Sequence, residues 1–199
     1  MTNPNIVSAV APDAEWIADL IGGSFMHLGV TEWLVPDADE RAKILPRNFQ
    51  IYVGYALTYG EVHVFSDRSA AAVWVPRDLG ELPPPDDYDR RLAEACGPAT
   101  ERARHLDELF EAHHPRGPHH HLAFLAVSGD RQGNGLGSRL LDHHHATLDR
   151  DHVAAFLEAS SPGSRDLYRR KGYQSLGEPY AVPNGALFWP MWREPNKDA

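Results

Sequence analysis

Three glycines at alternate positions, Gly133, Gly135 and Gly137, follow the apolar run Leu125-Ala126-Val127 and lead into a helical pattern. Leu136, Leu140, Leu141 and Leu148 recur at helical spacing, so the turn opens a helix. The first N–H groups of such a helix have no internal partner, and its dipole adds positive character there. Glycines remove the side chains that would hold a bulky anion away. Strand, turn and helix together form a cradle for a phosphate or pyrophosphate, made of Gln132, Gly133, Asn134, Gly135, Leu136, Gly137 and Ser138. Two common phosphate motifs do not fit. A P-loop needs Lys and then Ser or Thr after its last glycine, whereas Gly137 is followed by Ser138-Arg139. A dinucleotide turn reads G-x-G-x-x-G, and these glycines fall as G-x-G-x-G.

The segment Gln132-x-x-Gly135-x-Gly137 resembles the Q/R-x-x-G-x-G/A motif of the GCN5-related N-acetyltransferase (GNAT) superfamily. A second match follows. Phe156-Leu157-Glu158-Ala159-Ser160-Ser161-Pro162 runs on to Leu167-Tyr168 and Gly172-Tyr173, similar to the family's strand, short loop and helix carrying L-Y-x-x-x-G-F/Y. Together the motifs cover residues 121–173. The chain length, the Val73-Trp74-Val75 strand and the proline-rich insertion also resemble puromycin N-acetyltransferase-type members, though the N-terminal half matches in layout only.

The resemblance implies an α/β fold with a mixed, mostly antiparallel sheet flanked by helices and split between strands four and five. It implies acetyl-CoA as co-substrate, with its pyrophosphate on the glycine turn. The pantetheine arm would enter the split and pair with the backbone of Leu125, Ala126 and Val127 as an added strand does. N–H groups near Val127 would polarise the thioester carbonyl. The acetyl group would pass directly to a primary amine of a small molecule, an aminonucleoside-type antibiotic or another metabolite. A protein or peptide acceptor, or a non-catalytic acyl-CoA sensor, are the alternatives.

Attack by an amine on a thioester expels a thiolate, and Tyr168 stands where the family places a tyrosine to protonate it. The amine arrives mostly as an ammonium ion and needs a base, and histidine suits that work near neutral pH. His121 starts strand four, six residues before Val127, which the two-residue period puts on the same face; His119 is next along that face. Glu158 is the other candidate base, or equally a carboxylate paired with a cation. Ser164 stands where many relatives carry asparagine against the cofactor arm, and Gly129 where they often carry proline.

The chain has twelve histidines, including the runs 119–121 and 143–145. Neighbours on a strand point to opposite faces, and neighbours on a helix lie about 100° apart, so neither run converges whole on one ion. No metal is expected, and column affinity is the simpler consequence. His113-His114 suits the negative end of a helix. Most aromatics belong to the core, while Phe25, Trp33, Tyr52 and Tyr55 are candidates for an acceptor pocket. Cys96 is the only cysteine, so an internal disulfide and a cysteine zinc site are excluded, and it reads as a buried apolar residue.

Elements of both periods must position these groups. Short strands are expected at 6–10, 62–65 and 70–75, the last two joined by the turn Ser66-Asp67-Arg68-Ser69. Asp13 is expected to cap one helix, and Asp37 another that reaches Tyr59 with a break near Pro46. The proline- and acid-rich segment 77–87 reads as an exposed loop, followed by helices at 88–96 and 99–113. Then come strand 121–127, helix 135–150, strand 153–159, helix 165–171, and last strands at 173–176 and 186–192. At 199 residues and 42% hydrophobic, one GNAT domain over 1–199 is expected. No apolar run spans a bilayer and no signal segment is visible, so a cytoplasmic protein without a membrane partner is expected, as monomer or homodimer. The net charge of −9 argues against a nucleic-acid partner and is compatible with a cationic small substrate.

Overall fold

The computed structural model describes residues 4–77 and 82–196. Its elements are β1 (Ile6–Ser8), α1 (Ala14–Phe25), α2 (Gly29–Leu34), α3 (Ala38–Tyr59), β2 (Glu61–Phe65), β3 (Ala70–Arg77), α4 (Tyr88–Cys96), α5 (Thr100–His113), β4 (His119–Val127), α6 (Leu136–Asp151), β5 (Ala154–Ala159), α7 (Pro162–Arg170), β6 (Gln174–Ser175), β7 (Tyr180–Ala181) and β8 (Leu187–Arg193). The main sheet runs β1-β2-β3-β4-β5-β8-β6, and β7 pairs with β8. Every pairing is antiparallel except that of β4 with β5. This is the mixed, helix-flanked sheet that the motifs imply.

β3 shows how the sheet divides two apolar layers. Ala71, Val73 and Val75 face a layer with Ile17 and Ile21 of α1 and Leu45, Phe49 and Val53 of α3. Ala70, Ala72 and Trp74 face the other, with Leu140, Leu141 and Leu148 of α6, Tyr168 of α7 and Met191 of β8. The period-two alternation puts each set on its own side.

β4 departs from that alternation once. Val73 pairs with Phe124 and Trp74 with Leu122, so Ala123 is an extra residue, a β-bulge. Ala123 and Phe124 therefore both pack on the α1–α3 side, while Leu122 and Leu125 face α6.

Local chemistry explains where expectation and structure differ. Asp13 is the N-cap residue of α1 as expected, but its carboxylate makes no cap bond to a helix N–H: it accepts the Val10 N–H and the Trp16 indole N–H, each at 2.9 Å. Asp37 does cap α3, accepting the Glu40 N–H at 2.9 Å. α3 runs through Pro46 unbroken, and the ring packs on α1 at Gly22, where an added Cβ would stand only 3.0 Å from Pro46 Cγ. α7 begins three residues earlier than expected, with Ser161 accepting the Ser164 N–H at 3.1 Å and Pro162 in its first turn. The short α2 and β7 carry too few residues for a period to register. Of the segment 77–87, residues 78–81 lie outside the described residues.

Candidate active site

β4 and β5 pair only over His119–His121 and Ala154–Phe156. Beyond that point no strand among the described residues pairs with this edge of β4, so alternate N–H and C=O groups of 122–127 face the gap. A cavity of about 1160 Å³ opens along the fork, lined by Leu125 and Val127 of β4, Glu158 of β5, the glycine turn and α7. Ala126 turns its methyl into the α1–α3 layer, and because the Ser128 N–H is bonded to Ser69 beside β3, the alternation turns the Ala126 N–H and C=O to β3 too, leaving those of Leu125 and Val127 toward the gap. The Val127 carbonyl is held by Ser24 Oγ at 2.9 Å and by the Gln132 amide at 3.1 Å. Gln132 thus anchors the end of the strand to the turn.

Gly133 and Gly135 have φ of 76° and 77°, a region costly for other residues, and a Cβ on either would meet nothing within 4 Å. Gly135 caps α6, and the first N–H bonded back to the cap belongs to Arg139, at 3.1 Å from the Gly135 carbonyl. The N–H groups of Leu136, Gly137 and Ser138 are therefore left for an outside acceptor. The first turn holds no acid that would repel an anion. Gly137 is different: a Cβ there would make ordinary contact with Leu125, Leu167 and Val127 at 3.5–3.8 Å, so it sets helix-to-strand packing. Asn134 donates to the Arg131 carbonyl at 3.1 Å and shapes the turn. The turn is open and rich in N–H donors.

Tyr168 lies on α7 against Tyr173, 5.8 Å between ring centres, and reaches the cavity. Its hydroxyl makes no hydrogen bond to a described residue. Burial raises its pKa, so it stays a phenol through the neutral range. Ser164 also lines the cavity, but its hydroxyl donates to the Ser161 carbonyl at 3.0 Å and accepts the Ser161 N–H at 3.2 Å within the α7 cap. It is a cap residue first, and its hydrogen has a partner in the chain itself.

His121 and Glu158, rival candidates in the sequence, meet across the fork at 2.9 Å between Nε2 and Oε2. A carboxylate only accepts, so Nε2–H donates, and in the neutral ring Nδ1 carries the lone pair. The pair is mostly withdrawn from solvent, with side chains 15% and 5% exposed. The expectation that His121 shares a face with Val127 is corrected. The extra residue at Ala123 shifts the alternation, so Val127 faces α6 while His121 faces His114 at the end of α5. His119 is not available as a base: Nδ1 meets the Gly117 carbonyl at 2.8 Å and Nε2 meets His114 at 3.0 Å. His114, read from sequence only as a helix-end residue, lines the cavity. Burial, with His121, Arg77 and His119 nearby, pulls its pKa down to about 3, so it is neutral.

Residues 108–194 match the family model described as the acetyltransferase (GNAT) domain. The chain has the GNAT fold. Among solved structures, it resembles the histone acetyltransferase HPA2 and related acetyltransferase of Corynebacterium glutamicum, at 26% identity and TM-score 0.74, covering 98% of each chain. A mosquito arylalkylamine N-acetyltransferase like 5b matches at 16% identity and TM-score 0.62, over 96% of this chain and 100% of that one. An agmatine N-acetyltransferase matches at 16% identity and TM-score 0.58, over 95% and 99%. The GNAT match contains the glycine turn, Tyr168, His121, Glu158, Phe124 and the end of α5, and leaves out α1, α3, α4 and Asp107 of the wall opposite the turn.

That wall comes from α1, α3, α4 and α5 and extends the GNAT cavity past the fork. Phe124 sits at its centre, 5.1 Å from Phe49 and 6.1 Å from Tyr52 between ring centres, placed there by the bulge. Phe25, Tyr52 and Tyr55 line the cavity as expected. Trp33 does not: it packs against His105, ring centres 5.8 Å apart, with Arg102 over its face. Leu82, Pro83, Pro84 and Pro85 also line the cavity, so this part of the proline-rich loop is not merely solvated. Cys96 is buried away from the cavity against Asn48, and burial pushes its thiol up to about 11, so it is no nucleophile.

Asp107, one residue before the matched segment, was not singled out in the sequence. Tyr88 donates to its Oδ2, and the Tyr52 hydroxyl lies 2.9 Å from Oδ1 and 2.8 Å from the Tyr88 oxygen. Burial raises the carboxyl's pKa, and hydrogen bonds from the two tyrosines oppose that rise. An acid among aromatic rings can recognise a cation that also carries apolar surface. A lone acid on an amphipathic helix gives no sequence sign of this.

Proposed function

We propose that the chain is an acetyl-CoA-dependent N-acetyltransferase acting on a small amine, by direct transfer within one cavity. The observation that carries this reading is that single cavity, shared by the glycine turn, the fork, Tyr168, the His121–Glu158 pair and the Asp107 wall. It draws on both halves of the chain, which supports one domain over 1–199.

When bound, acetyl-CoA supplies an acyl carbon activated as a thioester. The N–H groups of Leu136, Gly137 and Ser138 would hold its diphosphate, with Gly133 and Gly135 keeping the approach clear. The edge groups of Leu125 and the Val127 N–H, with Ala126 between them turned to β3, would hold its amide-bearing arm, and an N–H there would face the developing oxyanion. His121 Nδ1 would take the ammonium proton, with Glu158 fixing the tautomer and steadying the imidazolium. Tyr168 would donate a hydrogen bond to the leaving sulfur. Burial makes full loss of its proton costly, so the proton released by the amine completes the transfer.

The acceptor is best read as an amine with an aromatic part or a second positive charge facing Asp107. The names of two similar structures, an arylalkylamine and an agmatine N-acetyltransferase, accord with that chemistry. An aminonucleoside antibiotic, which combines an amine with an aromatic ring, belongs to the same class. A screen of arylalkylamines, diamines, aminonucleosides and basic peptides, read by thiol release, tests the reading. Small amines should turn over, and peptides should not. Turnover of peptides alone would overturn it. Asp107→Asn should raise KM for a cationic acceptor about tenfold or more with kcat changed little, since a charge-assisted contact contributes roughly 1.5–3 kcal/mol. KM unchanged for every acceptor would remove Asp107 from recognition.

A further inference from the structure

A second cluster lies behind the cradle helix, on the side of the sheet away from the Asp107 wall. Glu61 and His63 stand two residues apart on β2 and so share a face. α6 packs over that face and brings His144 to them. His63 Nε2 and His144 Nδ1 are 3.0 Å apart. Glu61 Oε2 lies 3.5 Å from the first and 4.0 Å from the second. Among the described residues this is the one group of three His, Cys, Asp or Glu donor atoms lying within 4.8 Å of one another. An ion bound tetrahedrally at about 2.0–2.1 Å separates its ligand atoms by roughly 3.4 Å. The observed triangle needs shifts of only a few tenths of an ångström to match it.

The surroundings favour the same reading. Trp74 stacks on the His144 ring, with centres 4.1 Å apart and planes 20° apart, fixing its plane. The other ring nitrogen, His144 Nε2, meets His120 Nδ1 at 3.0 Å. Metal-binding imidazoles usually have such a partner, which sets the tautomer and aims the free lone pair. Glu61 is 45% exposed, yet it turns a carboxylate oxygen inward toward two ring nitrogens. The carboxylate brings lone pairs only, and the contact between the two nitrogens holds one proton at most, so a cation in place of that proton would serve all three atoms at once. Neither histidine run converges whole: His145 turns instead to the Tyr173 hydroxyl at 3.0 Å. One member of the helical run meets residues of a different strand.

We propose that Glu61, His63 and His144 bind one divalent transition-metal ion of the zinc type, with His120 orienting His144 and a fourth position open to water. Two imidazoles and a carboxylate suit zinc, and sulfur ligands are not required. The ion ties β2 to α6 at a point about 12 Å along the helix from its N-terminus. It is therefore a structural clamp on the helix that carries the cradle, separate from the transfer site.

The test uses protein made without a polyhistidine tag and stripped with chelator, titrated with zinc sulfate against a chromophoric competitor. One equivalent should bind, and a hundredfold excess over Kd should raise Tm by about 5 °C or more. Glu61→Gln, half-exposed and so compatible with folding, should weaken binding at least about tenfold with the circular dichroism spectrum unchanged. His143→Ala, which removes an exposed neighbour, should leave binding intact. Absence of zinc uptake at 100 μM overturns the proposal. So does a loss under tenfold in Glu61→Gln, or abolition by His143→Ala, which would mean adsorption on surface imidazoles.

Discussion

Replacing Tyr168 by Phe should lower kcat by about 10²- to 10³-fold while leaving acetyl-CoA affinity within about twofold. The substitution deletes one oxygen from a buried ring that keeps its packing against Tyr173. That oxygen makes no hydrogen bond to a described residue, so the change strands no partner, and stability should move by no more than about 0.5 kcal/mol. The diphosphate donors on α6 are untouched. Steady-state thiol release, with calorimetry of the same variant, separates the two effects. A wild-type rate in Tyr168→Phe would take the hydroxyl out of the mechanism. No turnover in the wild-type chain with any amine would favour an acyl-CoA sensor.

His121→Ala should lower kcat/KM at neutral pH by about 10²- to 10³-fold. Without a base in the site, only amine already deprotonated in solution can react. Its fraction grows about tenfold per pH unit below an amine pKa near 10. The variant's kcat/KM should therefore climb with unit slope over pH 7–9, where the wild-type curve is flatter. Glu158→Gln should lose at least about tenfold, because its amide NH2 turned toward Nε2 puts the ring proton on Nδ1, where the lone pair is needed, and its carbonyl turned there carries no charge to steady the imidazolium. A profile parallel to the wild type in His121→Ala would show that this ring takes no proton from the acceptor.

Much of the cofactor side was legible because its physics is local. A strand, three spaced glycines and a helix with a leucine stripe occupy one stretch of chain, and the structure keeps them together as strand end, turn and helix N-terminus. The acceptor side is assembled from distant segments. Asp107, Tyr52 and Tyr88 come from three helices, and each alone looks like an ordinary surface acid or core aromatic. The bulge at Ala123 was invisible for a different reason. A period-two reading assumes an unbroken ladder, and one inserted residue reverses every face that follows it. That single residue separates His121 from Val127 and delivers Phe124 to the acceptor wall. Likewise Ser164 was read for its hydroxyl, although Ser161 and Pro162 already mark it as the third residue of a helix cap.

Isothermal calorimetry with acetyl-CoA and with S-acetyl-pantetheine, which carries the same thioester and arm but no diphosphate, bears most directly on the cradle between Gln132 and Ser138. One molecule of acetyl-CoA should bind, and loss of two or more charge-assisted contacts should weaken the truncated ligand by about 100-fold or more. Equal affinity for the two ligands, or no heat with acetyl-CoA at millimolar concentration, would contradict the assignment of that turn as a diphosphate site.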